Sequence, residues 1–481
     1  MDNGMRWNGE TVMKVGSHNG MTTLLAPPPP LAAQAVLPRA AAPCPALPRG
    51  EIWLDISRLL YRVFRGRITG IDRVEIAYAE HLLACVPEQT RFVAYDYWRG
   101  TFRMLPMDKA RALIHAIAPA WRAGAMRPVQ RASFRALAGS VFTAPQVPRY
   151  RGGPRPVYIN VSAHPLHLVE RIGRMTERTG ALFVPLVHDL IPLELPEYVP
   201  PPWVRHHLSR LRTIAAYADG VISNSAATTM ALGKHIAHLP IATVPLGVGQ
   251  LMPGVAPARA AAPYFVMVGT IEPRKNHLML LHVWRRMVAE LGAKAPDLMI
   301  IGRRGWENEQ IIDILERCKD IGGHVVECGM LPDGDMARLL AGARALLMPS
   351  FAEGYGLPVV EALAMGVPVI CSDIAAHREI GKGIPDFIDP LDGLSWMRAI
   401  LDYTAKDSPA RAAQMARIGQ WQSPCWHGHI AEVLDFVARL QPRRPIPQSS
   451  WSRRIFTTSV SNIQAMKPAS AVSAVTSQRS G

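Results

Sequence analysis

Short apolar segments that predict buried strands alternate with helical segments in two separate series along this chain. The first series comprises residues 51–56, 91–97, 157–162, 181–188, 220–224 and 241–245, with helical stretches such as 71–84 and 204–217 between them. The second series comprises residues 264–268, 298–301, 324–327, 345–348 and 367–371. Strands that alternate with helices usually pair in parallel and are covered by helices on both faces. The sequence therefore predicts an α/β protein with two doubly wound parallel sheets.

The two ends of the chain and a short central segment differ from the rest in amino-acid composition. Residues 1–49 are rich in Ala and Pro, and residues 441–481 contain six basic residues and no acidic one, so both ends are predicted to be disordered tails. The Gly, Pro and Ala content of residues 251–263 predicts a linker. Between these segments we expect an N-terminal domain at 50–250, a C-terminal domain at 264–420 and a final helix at 421–440.

The net charge of +15 is unevenly distributed. Residues 51–160 carry 17 Lys and Arg against 8 Asp and Glu, whereas residues 261–440 carry 18 against 22. Nucleic acid is not an expected partner, because the chain has no zinc-finger spacing, no aromatic and basic RNA-binding motif and no basic helix linked to heptads. The favoured interpretation is peripheral contact with an anionic membrane, or binding of a phosphate-bearing acceptor. A solvated Arg-rich surface is the alternative.

The chain has no run of about 18 uncharged apolar residues, and its N-terminus lacks the apolar core of a signal peptide. We therefore expect a cytoplasmic protein that contacts the membrane, if at all, at its inner face. The six cysteines form no C-x-x-C pair, which predicts reduced thiols and neither a disulfide framework nor a metal site.

The most informative motif follows the apolar segment 345–348. Here Glu353 and Glu361 flank a loop with Gly354 and Gly356, and a helix is predicted to begin directly after it. Glycines let backbone N–H groups approach an anion, and a helix N-terminus carries partial positive charge, so a phosphate would fit this turn. The two carboxylates could accept hydrogen bonds from sugar hydroxyls on either side. The alternative is a tight turn with two solvated glutamates.

Basic residues follow two other strands of the second series. Arg274 and Lys275 come after 264–268, where they could neutralise a diphosphate. Arg303 and Arg304 come after 298–301 and form a second candidate cluster, of which at most one is expected to reach a ligand. Charged residues of a surface loop are the alternative for this pair.

A polar pair, His188 and Asp189, ends the long apolar segment 181–187. Such a pair is costly at the end of a buried strand unless it is hydrogen-bonded or functional. The histidine could donate to a sugar hydroxyl or to a backbone carbonyl, and the aspartate could accept a proton or cap a turn. In parallel sheets, ligands bind beyond the carboxyl ends of the strands, which favours a function for both.

A third polar segment, residues 67–73, follows the first strand and opens a helix. Thr69, Gly70 and Arg73 are predicted to contact an acceptor substrate. The alternative is that Thr69 or Asp72 only caps the helix.

With these residues identified, the chain resembles the retaining glycosyltransferases of family 4. The resemblance spans about residues 51–440 and rests on Glu353-Gly-Tyr-Gly-Leu-Pro-Val-Val-Glu361, Gly269-Thr-Ile-Glu-Pro-Arg-Lys-Asn276 and His188-Asp-Leu-Ile-Pro192. It implies the GT-B fold, in which two Rossmann-like domains face each other across a cleft. By this resemblance the N-terminal domain binds the acceptor, the C-terminal domain binds the nucleotide sugar, and the helix at 421–440 crosses back to the N-terminal domain.

The resemblance also assigns roles to residues. Glu361 would hold the ribose of the donor and Glu353 the hydroxyls of the transferred sugar, while Lys275 would neutralise the diphosphate. The backbone from Gly354 through Tyr355 and Gly356 to Leu357 would contact the sugar and phosphates. His188 would lie near the anomeric carbon, so that His188, Asp189, Lys275 and Glu353 form the expected catalytic set.

One position departs from the family pattern. Many members carry arginine directly after the glycine that ends the first strand of the C-terminal domain, and this chain has Thr270 there. Thr270 remains an expected donor contact, and Arg274, Arg303 or Arg304 would supply the missing charge.

The implied reaction transfers a hexosyl group, with mannosyl favoured, from a nucleotide-diphosphate sugar to a hydroxyl of a glycan or lipid-linked acceptor in bacterial polysaccharide biosynthesis. GDP-mannose is the favoured donor and a UDP-sugar the second choice. Retention is expected from attack on the face of the leaving group, with a covalent intermediate as the alternative. The chain has no Asp-x-Asp motif, so neither a metal nor a cofactor is expected.

Two other functions compete with this one. A nucleotide-cofactor oxidoreductase would have a G-x-G-x-x-G motif after a strand, and this chain has none. A non-catalytic protein that binds nucleotide sugars or a membrane surface is the remaining alternative.

Overall fold

A computed structural model describes residues 47–65, 69–122, 143–249, 257–258 and 262–443. The predicted tails lie outside the described residues except for 47–49 and 441–443, and most of the predicted linker also lies outside them.

The N-terminal domain is built on a seven-stranded sheet. Its strands are β1 (Ile52–Asp55), β2 (Thr90–Asp96), β3 (Thr101–Met104), β4 (Val157–Asn160), β5 (Leu182–Val187), β6 (Val221–Ser223) and β7 (Ile241–Thr243). They lie in the order β3-β2-β1-β4-β5-β6-β7, and every neighbouring pair is parallel except β2 and β3, which form an antiparallel hairpin at the edge. The six predicted strands are confirmed. The sequence did not reveal β3, because only two of its four residues are buried and it has no continuous apolar run.

Helices cover both faces of this sheet. They are α1 (Ser57–Arg65), α2 (Gly70–Cys85), α3 (Met107–Arg122), α4 (Val169–Thr179), α5 (Ile191–Glu194), α6 (Pro201–Tyr217) and α7 (Ala226–Ile236). The start of α2 is fixed by a capping box, in which the carboxylate of Asp72 accepts a 2.6 Å hydrogen bond from the backbone N–H of Thr69.

The C-terminal domain contains a six-stranded, wholly parallel sheet. Its strands are β8 (Tyr264–Val268), β9 (Asp297–Ile301), β10 (Val325–Gly329), β11 (Leu346–Met348), β12 (Val369–Ser372) and β13 (Asp386–Ile388), in the order β10-β9-β8-β11-β12-β13. The central strands are buried on both faces, which explains why they are continuous apolar runs in the sequence. The five predicted strands are confirmed, and β13, a three-residue edge strand, was not predicted.

The helices of this domain are α8 (His277–Leu291), α9 (Glu309–Arg317), α10 (Asp333–Gly342), α11 (Leu357–Ala364), α12 (Ala375–Gly381), α13 (Gly393–Thr404) and α14 (Pro409–Ile418). No helix within the described residues combines the length and the apolar composition that a membrane-spanning segment requires.

The last helix, α15 (Trp426–Ala438), packs on α2 of the N-terminal domain. The hydroxyl of Tyr78 and Nε2 of His429 are 2.6 Å apart in this contact, and both side chains are buried. The chain thus leaves the N-terminal domain after β7 and returns to it at α15. Where the two crossing segments meet, Val248 forms an isolated parallel bridge with Cys425, and Gly247 lies against Trp426.

The carboxyl ends of the two sheets face each other. His188, which follows β5, and Gly354, which follows β11, approach so closely that a Cβ on Gly354 would overlap the carbonyl oxygen of His188. Because the loops after both sets of strands meet here, this edge is the place to look for a ligand site.

Candidate active site

Four charged side chains form a buried cluster after β8 and β11: Glu353, Lys275, Arg274 and Glu272, whose carboxylate accepts from Nη2 of Arg274 at 2.6 Å. Nζ of Lys275 donates to one carboxylate oxygen of Glu353 at 2.5 Å, and Nη1 of Arg274 donates to the other at 2.9 Å. The Glu353 side chain is only 8% exposed. Burial alone would raise the pKa of Glu353, but the two cations reverse that effect and hold the pKa well below its usual range. Glu353 is therefore a fixed negative charge at neutral pH.

Local backbone structure places these cations. Residues Pro273–Lys275 form a 3-10 turn, and Asn276 adopts a left-handed conformation with φ of 60° before α8 begins. The side chain of Asn276 donates to the carbonyls of Pro349 and Pro390 at 3.1 and 2.9 Å. This amide thus ties the loop after β8 to the loop after β11, so that the lysine and the glutamate meet.

The glycine turn between β11 and α11 contacts both domains. Gly356 has φ of +104°, which favours glycine, and it precedes the first residue of α11. The carbonyl of Gly354 accepts a 2.7 Å hydrogen bond from Ser225 of the N-terminal domain. The buried Tyr355 donates its hydroxyl proton to the carbonyl of Leu246 at 2.7 Å. These bonds hold the turn, and with it the N-terminus of α11, against the N-terminal domain.

Glu361 lies one turn into α11 and is buried. Its carboxylate accepts a 3.0 Å hydrogen bond from Nη1 of Arg73, whose other terminal nitrogen pairs with Asp333 at the start of α10. Burial raises the pKa of Glu361, and the guanidinium of Arg73 opposes the increase. The structure therefore places Arg73, predicted to contact an acceptor, on the carboxylate predicted to hold the donor ribose.

The other predicted acceptor residues lie at the N-terminus of α2. Thr69 takes part in the capping box, so its side chain already has a structural role there. Gly70 is exposed, and a Cβ on it would lie 3.4 Å from Cδ1 of Leu357. The first residues of α2 and α11 are thus neighbours across the domain boundary.

His188 and Asp189 both make hydrogen bonds within the N-terminal domain. Nε2 of His188 donates to the carbonyl of Val161 at 2.7 Å, which leaves Nδ1 as the nitrogen that can accept. Burial lowers the pKa of His188, so the ring is neutral at neutral pH. Asp189 accepts a 3.1 Å bond from the backbone N–H of Ile191, at the start of α5. Asp189 therefore has the turn-capping role considered for it, and both residues lie against Gly354 of the other domain.

The two arginines that follow β9 differ in their ion pairs. Arg304 pairs with Glu327 at 2.8 Å and with Glu316 at 2.5 Å on the outer surface, so it does not compensate for Thr270. Arg303 forms no ion pair with a carboxylate in the described part of the chain. Thr270 packs against Gly305, where a Cβ would lie 2.6 Å from Cγ2 of Thr270.

Sequence reasoning missed His377 of α12. Its ring is fully buried, Nδ1 lies 3.0 Å from the carbonyl of Ser372, and Nε2 has no hydrogen-bond partner among the described residues. A Cβ on Gly356 would lie 3.6 Å from Nε2, so the ring faces the glycine turn. Burial lowers the pKa of His377 despite the nearby Glu353. A search for polar residues after every strand would have included this one, because β12 ends five residues earlier.

Together, these groups can stabilise negative charge that develops on a ligand. Lys275 and Arg274 supply fixed positive charge, and the turn at Gly354 to Leu357 presents the free N–H groups at the start of α11. A diphosphate leaving group fits this arrangement.

Comparison with known proteins agrees with this geometry. Residues 262–404 match the family described as "Glycosyl transferases group 1". Residues of the chain are 33% identical over 172 positions to "O-antigen chain mannosyltransferase B" of Escherichia coli, a match that covers 36% of this chain and 45% of that protein. A second relative, "Phosphatidyl-myo-inositol mannosyltransferase" of Mycolicibacterium smegmatis, is 31% identical over 153 residues, which are 31% of this chain and 37% of that protein. The chain thus spans less than half the length of either relative.

Solved structures show the same fold at low sequence identity. Anabaena HepE in complex with UDP and glucose aligns with a TM-score of 0.55 at 13% identity, over 81% of this chain and 100% of that one. Sucrose-phosphate synthase from Thermosynechococcus elongatus aligns with a TM-score of 0.52 at 16% identity, over 81% and 98%. The predicted GT-B fold and the resemblance to glycosyltransferases are confirmed.

Proposed function

We propose that this chain, whose C-terminal domain matches the group 1 glycosyltransferases, is a retaining hexosyltransferase of polysaccharide biosynthesis. It moves a hexosyl group, with mannosyl favoured, from a nucleotide-diphosphate sugar to a hydroxyl of a glycan or lipid-linked acceptor. The observation that carries the proposal is the buried cluster of Lys275, Arg274 and Glu353 beside the N-terminus of α11, facing His188 of the other domain.

The names of the relatives support the sugar and the setting. Both of the relatives described above are named mannosyltransferases, and one acts on the O-antigen chain by its name. Mannosyl transfer from GDP-mannose is therefore the favoured reaction. The HepE structure is a complex with UDP, and a UDP-sugar is the second choice.

The donor is proposed to lie along the carboxyl edge of the second sheet. Glu361 binds the ribose hydroxyls, and the backbone N–H groups at Gly356 and Leu357 bind the diphosphate, whose charge Lys275 and Arg274 neutralise. Glu353 orients Lys275 and reaches the sugar hydroxyls with its free lone pairs. Thr270 and Arg303 flank the same edge.

The transfer step uses positioning and fixed charge. The bond from the anomeric carbon to the phosphate oxygen breaks as the acceptor oxygen forms its bond on the same face, and the departing phosphate takes the proton of the acceptor hydroxyl. Glu353 is held by two cations, which makes it a weak nucleophile and favours this route over a covalent intermediate. His188 contacts the sugar near the anomeric carbon, Asp189 positions the loop that carries it, and neither a metal nor a cofactor takes part.

The acceptor is proposed to approach from the N-terminal domain, past Thr69 and Gly70 at the start of α2. Arg73 joins this region to the ribose site through its pair with Glu361. The basic surplus of residues 51–160 would attract an anionic lipid surface that carries the acceptor.

The test is a donor screen followed by a transfer assay with the full chain. GDP, UDP and ADP are compared by thermal stabilisation, since a nucleotide at 100 times its dissociation constant adds about 2.7 kcal/mol to the free energy of unfolding. The nucleotide that binds identifies the sugar donors to assay with glycan and lipid-linked acceptors, and mass spectrometry detects the product and its anomeric configuration.

We expect Lys275→Ala to slow transfer by about 100-fold or more, because a preorganised charge at the leaving group is lost. The exposed Lys294→Ala is the matched control and should transfer at the wild-type rate. Nucleotide-sugar binding without transfer to any acceptor would instead favour a non-catalytic binding protein.

A further inference from the structure

We propose that the N-terminal wall of the cleft, meaning the side of the N-terminal domain that faces the C-terminal domain, holds an anion site. The site binds a phosphate or diphosphate group of the acceptor. It is built by Arg62 of α1 and Arg210 of α6 and completed by Arg303 of the C-terminal domain. Assignment of the anion to the acceptor rests on the proposed function, whereas the existence of the site does not.

Arg62 and Arg210 of the N-terminal domain have unsatisfied guanidinium donors within the described residues. The Nε atoms of Arg62 and Arg210 are buried, and neither has a hydrogen-bond partner in the described ranges. Nor does either guanidinium form an ion pair with a carboxylate of a described residue. Their neighbour Arg58 shows the contrast, because it pairs with Asp72 at 2.6 Å. Buried donors without partners are costly, which indicates that a ligand satisfies them.

The positive charges also repel one another. Burial lowers the pKa of Arg62, the charges of Arg58 and Arg303 lower it further, and the charge of Asp72 opposes the shift. Burial and Arg58 lower the pKa of Arg210 in the same way, while Asp189 opposes the shift. Asp72 and Asp189 are thus the acidic groups that face the cluster. Asp72 is already paired with Arg58, so these two carboxylates do not balance the guanidinium groups of Arg58, Arg62, Arg210 and Arg303. An anion that binds between them would relieve both the repulsion and the lost hydrogen bonds.

Aromatic and histidine side chains lie beside the two arginines in the sequence or in space. The ring of His164 stacks on Tyr61 with 5.7 Å between ring centroids, and its Nε2 lies 2.7 Å from the hydroxyl of Tyr97. Burial, followed by the charges of His167 and Arg58, lowers the pKa of His164 to about 3, so the ring is neutral at neutral pH. Nη1 of Arg210 lies 3.4 Å from Nδ1 of His207. His207 thus contacts the guanidinium of Arg210, and the neutral ring of His164 adds no positive charge to this region.

The position of the site favours the acceptor as the source of the anion. His164 lies in the loop after β4, and Val161 of the same loop accepts the hydrogen bond from His188. The donor diphosphate is proposed to bind Lys275 and Arg274 on the opposite domain. A second set of guanidinium groups on the N-terminal wall therefore fits a second phosphate group. The planar guanidinium of arginine can donate two hydrogen bonds to one phosphate.

Isothermal titration of the full chain at low ionic strength tests the proposal, with inorganic pyrophosphate as the probe and GDP and UDP in parallel. We expect Arg62→Gln and Arg210→Gln each to weaken pyrophosphate binding by about tenfold. Nucleotide affinity should change by less than about twofold. Arg205→Gln, an exposed residue of the same helix as Arg210, is the control and should bind pyrophosphate as the wild type does. The melting temperatures of both variants should equal or exceed that of the wild type, because a repulsion is removed.

Equal pyrophosphate affinity in all four proteins would refute the anion site. An equal loss of pyrophosphate and nucleotide affinity would overturn the assignment to the acceptor, because the arginines would then hold the donor diphosphate. If neither nucleotide binds the wild type but the variants still lose pyrophosphate, the anion site stands and the proposed glycosyl transfer fails.

Discussion

Arg73 and Glu361 lie 288 positions apart in the sequence and meet across the domain boundary, where Nη1 of the arginine donates to the carboxylate at 3.0 Å. The arginine also pairs with Asp333. The carboxylate that is proposed to bind the donor ribose is therefore occupied by the N-terminal domain in this structure. Donor binding must exchange or share this contact.

The first prediction concerns this exchange. Arg73→Gln should tighten nucleotide binding by about three- to tenfold, because the ribose no longer competes with an ion pair worth about 1 kcal/mol. Transfer should slow, since the acceptor side loses its link to the ribose site. Calorimetry and initial rates measure the two effects. Arg285→Gln, which breaks an exposed pair with Asp320, is the control. Weaker nucleotide binding by the Arg73 variant would show that the arginine supports the donor.

The second prediction concerns pH. Because the folded-state pKa of Glu353 lies below the ordinary value of 4.5, its ion pairs stabilise the fold above about pH 4.5, and this stability is lost as the pH falls below that value. Glu353→Gln should lower the free energy of unfolding by about 3 kcal/mol near neutral pH. The difference from the wild type should shrink below about pH 4.5.

Urea unfolding across the pH range measures this difference. Glu290→Gln is the control, since its pair with Arg286 is exposed and should contribute less than about 0.5 kcal/mol at any pH. A difference for Glu353→Gln that stays constant through the acid range would contradict the assigned cause.

The third prediction uses the close approach of the two domains. Gly354→Ala places a Cβ over the carbonyl oxygen of His188 and 2.8 Å from Cβ of Asp189, so the domains must separate. We expect transfer to fall by about 100-fold, because a small displacement at the reacting centre is costly. Gly233→Ala is the matched control: it lies inside α7, its Cβ would meet no atom within 4 Å, and alanine favours the helix. Full activity of Gly354→Ala would mean that the contact is absent during turnover.

The fourth prediction concerns an aromatic contact between the domains. Trp306 of the C-terminal domain donates to the carbonyl of Tyr198 at 2.9 Å, and its ring centroid lies 4.7 Å from that of Trp203. Trp306→Ala should lower the free energy of unfolding by about 1–3 kcal/mol through loss of the hydrogen bond and the ring pair. Trp98→Ala, at a position 87% exposed, should change it by less than about 0.5 kcal/mol. An equal decrease in the free energy of unfolding in both variants would indicate that the contact of Trp306 with Tyr198 and Trp203 does not stabilise the fold.

The sequence predicted the fold well because the strands of both sheets are buried on two faces and therefore appear as apolar runs, as in Ala345 to Met348. It also predicted that the loops after β8 and β11 lie together, since parallel strands bring their carboxyl ends to one edge of the sheet. It could not predict the partners within the site. The ion pair between Arg73 and Glu361 depends on how the two domains pack against each other. The pattern of residues around each position does not indicate a contact between residues 288 positions apart. The edge strand β3 was missed because its own residues form no apolar run. The buried His377 was missed because its burial depends on residues distant in the sequence.

The bridge between Val248 and Cys425 joins the two points at which the chain passes from one domain to the other. Because the bridge holds these two connections side by side, we expect the domains to rotate about one hinge at this point. The aromatic contact between Trp203 and Trp306 is a second link between the domains, and any rotation that parts the domains must break it.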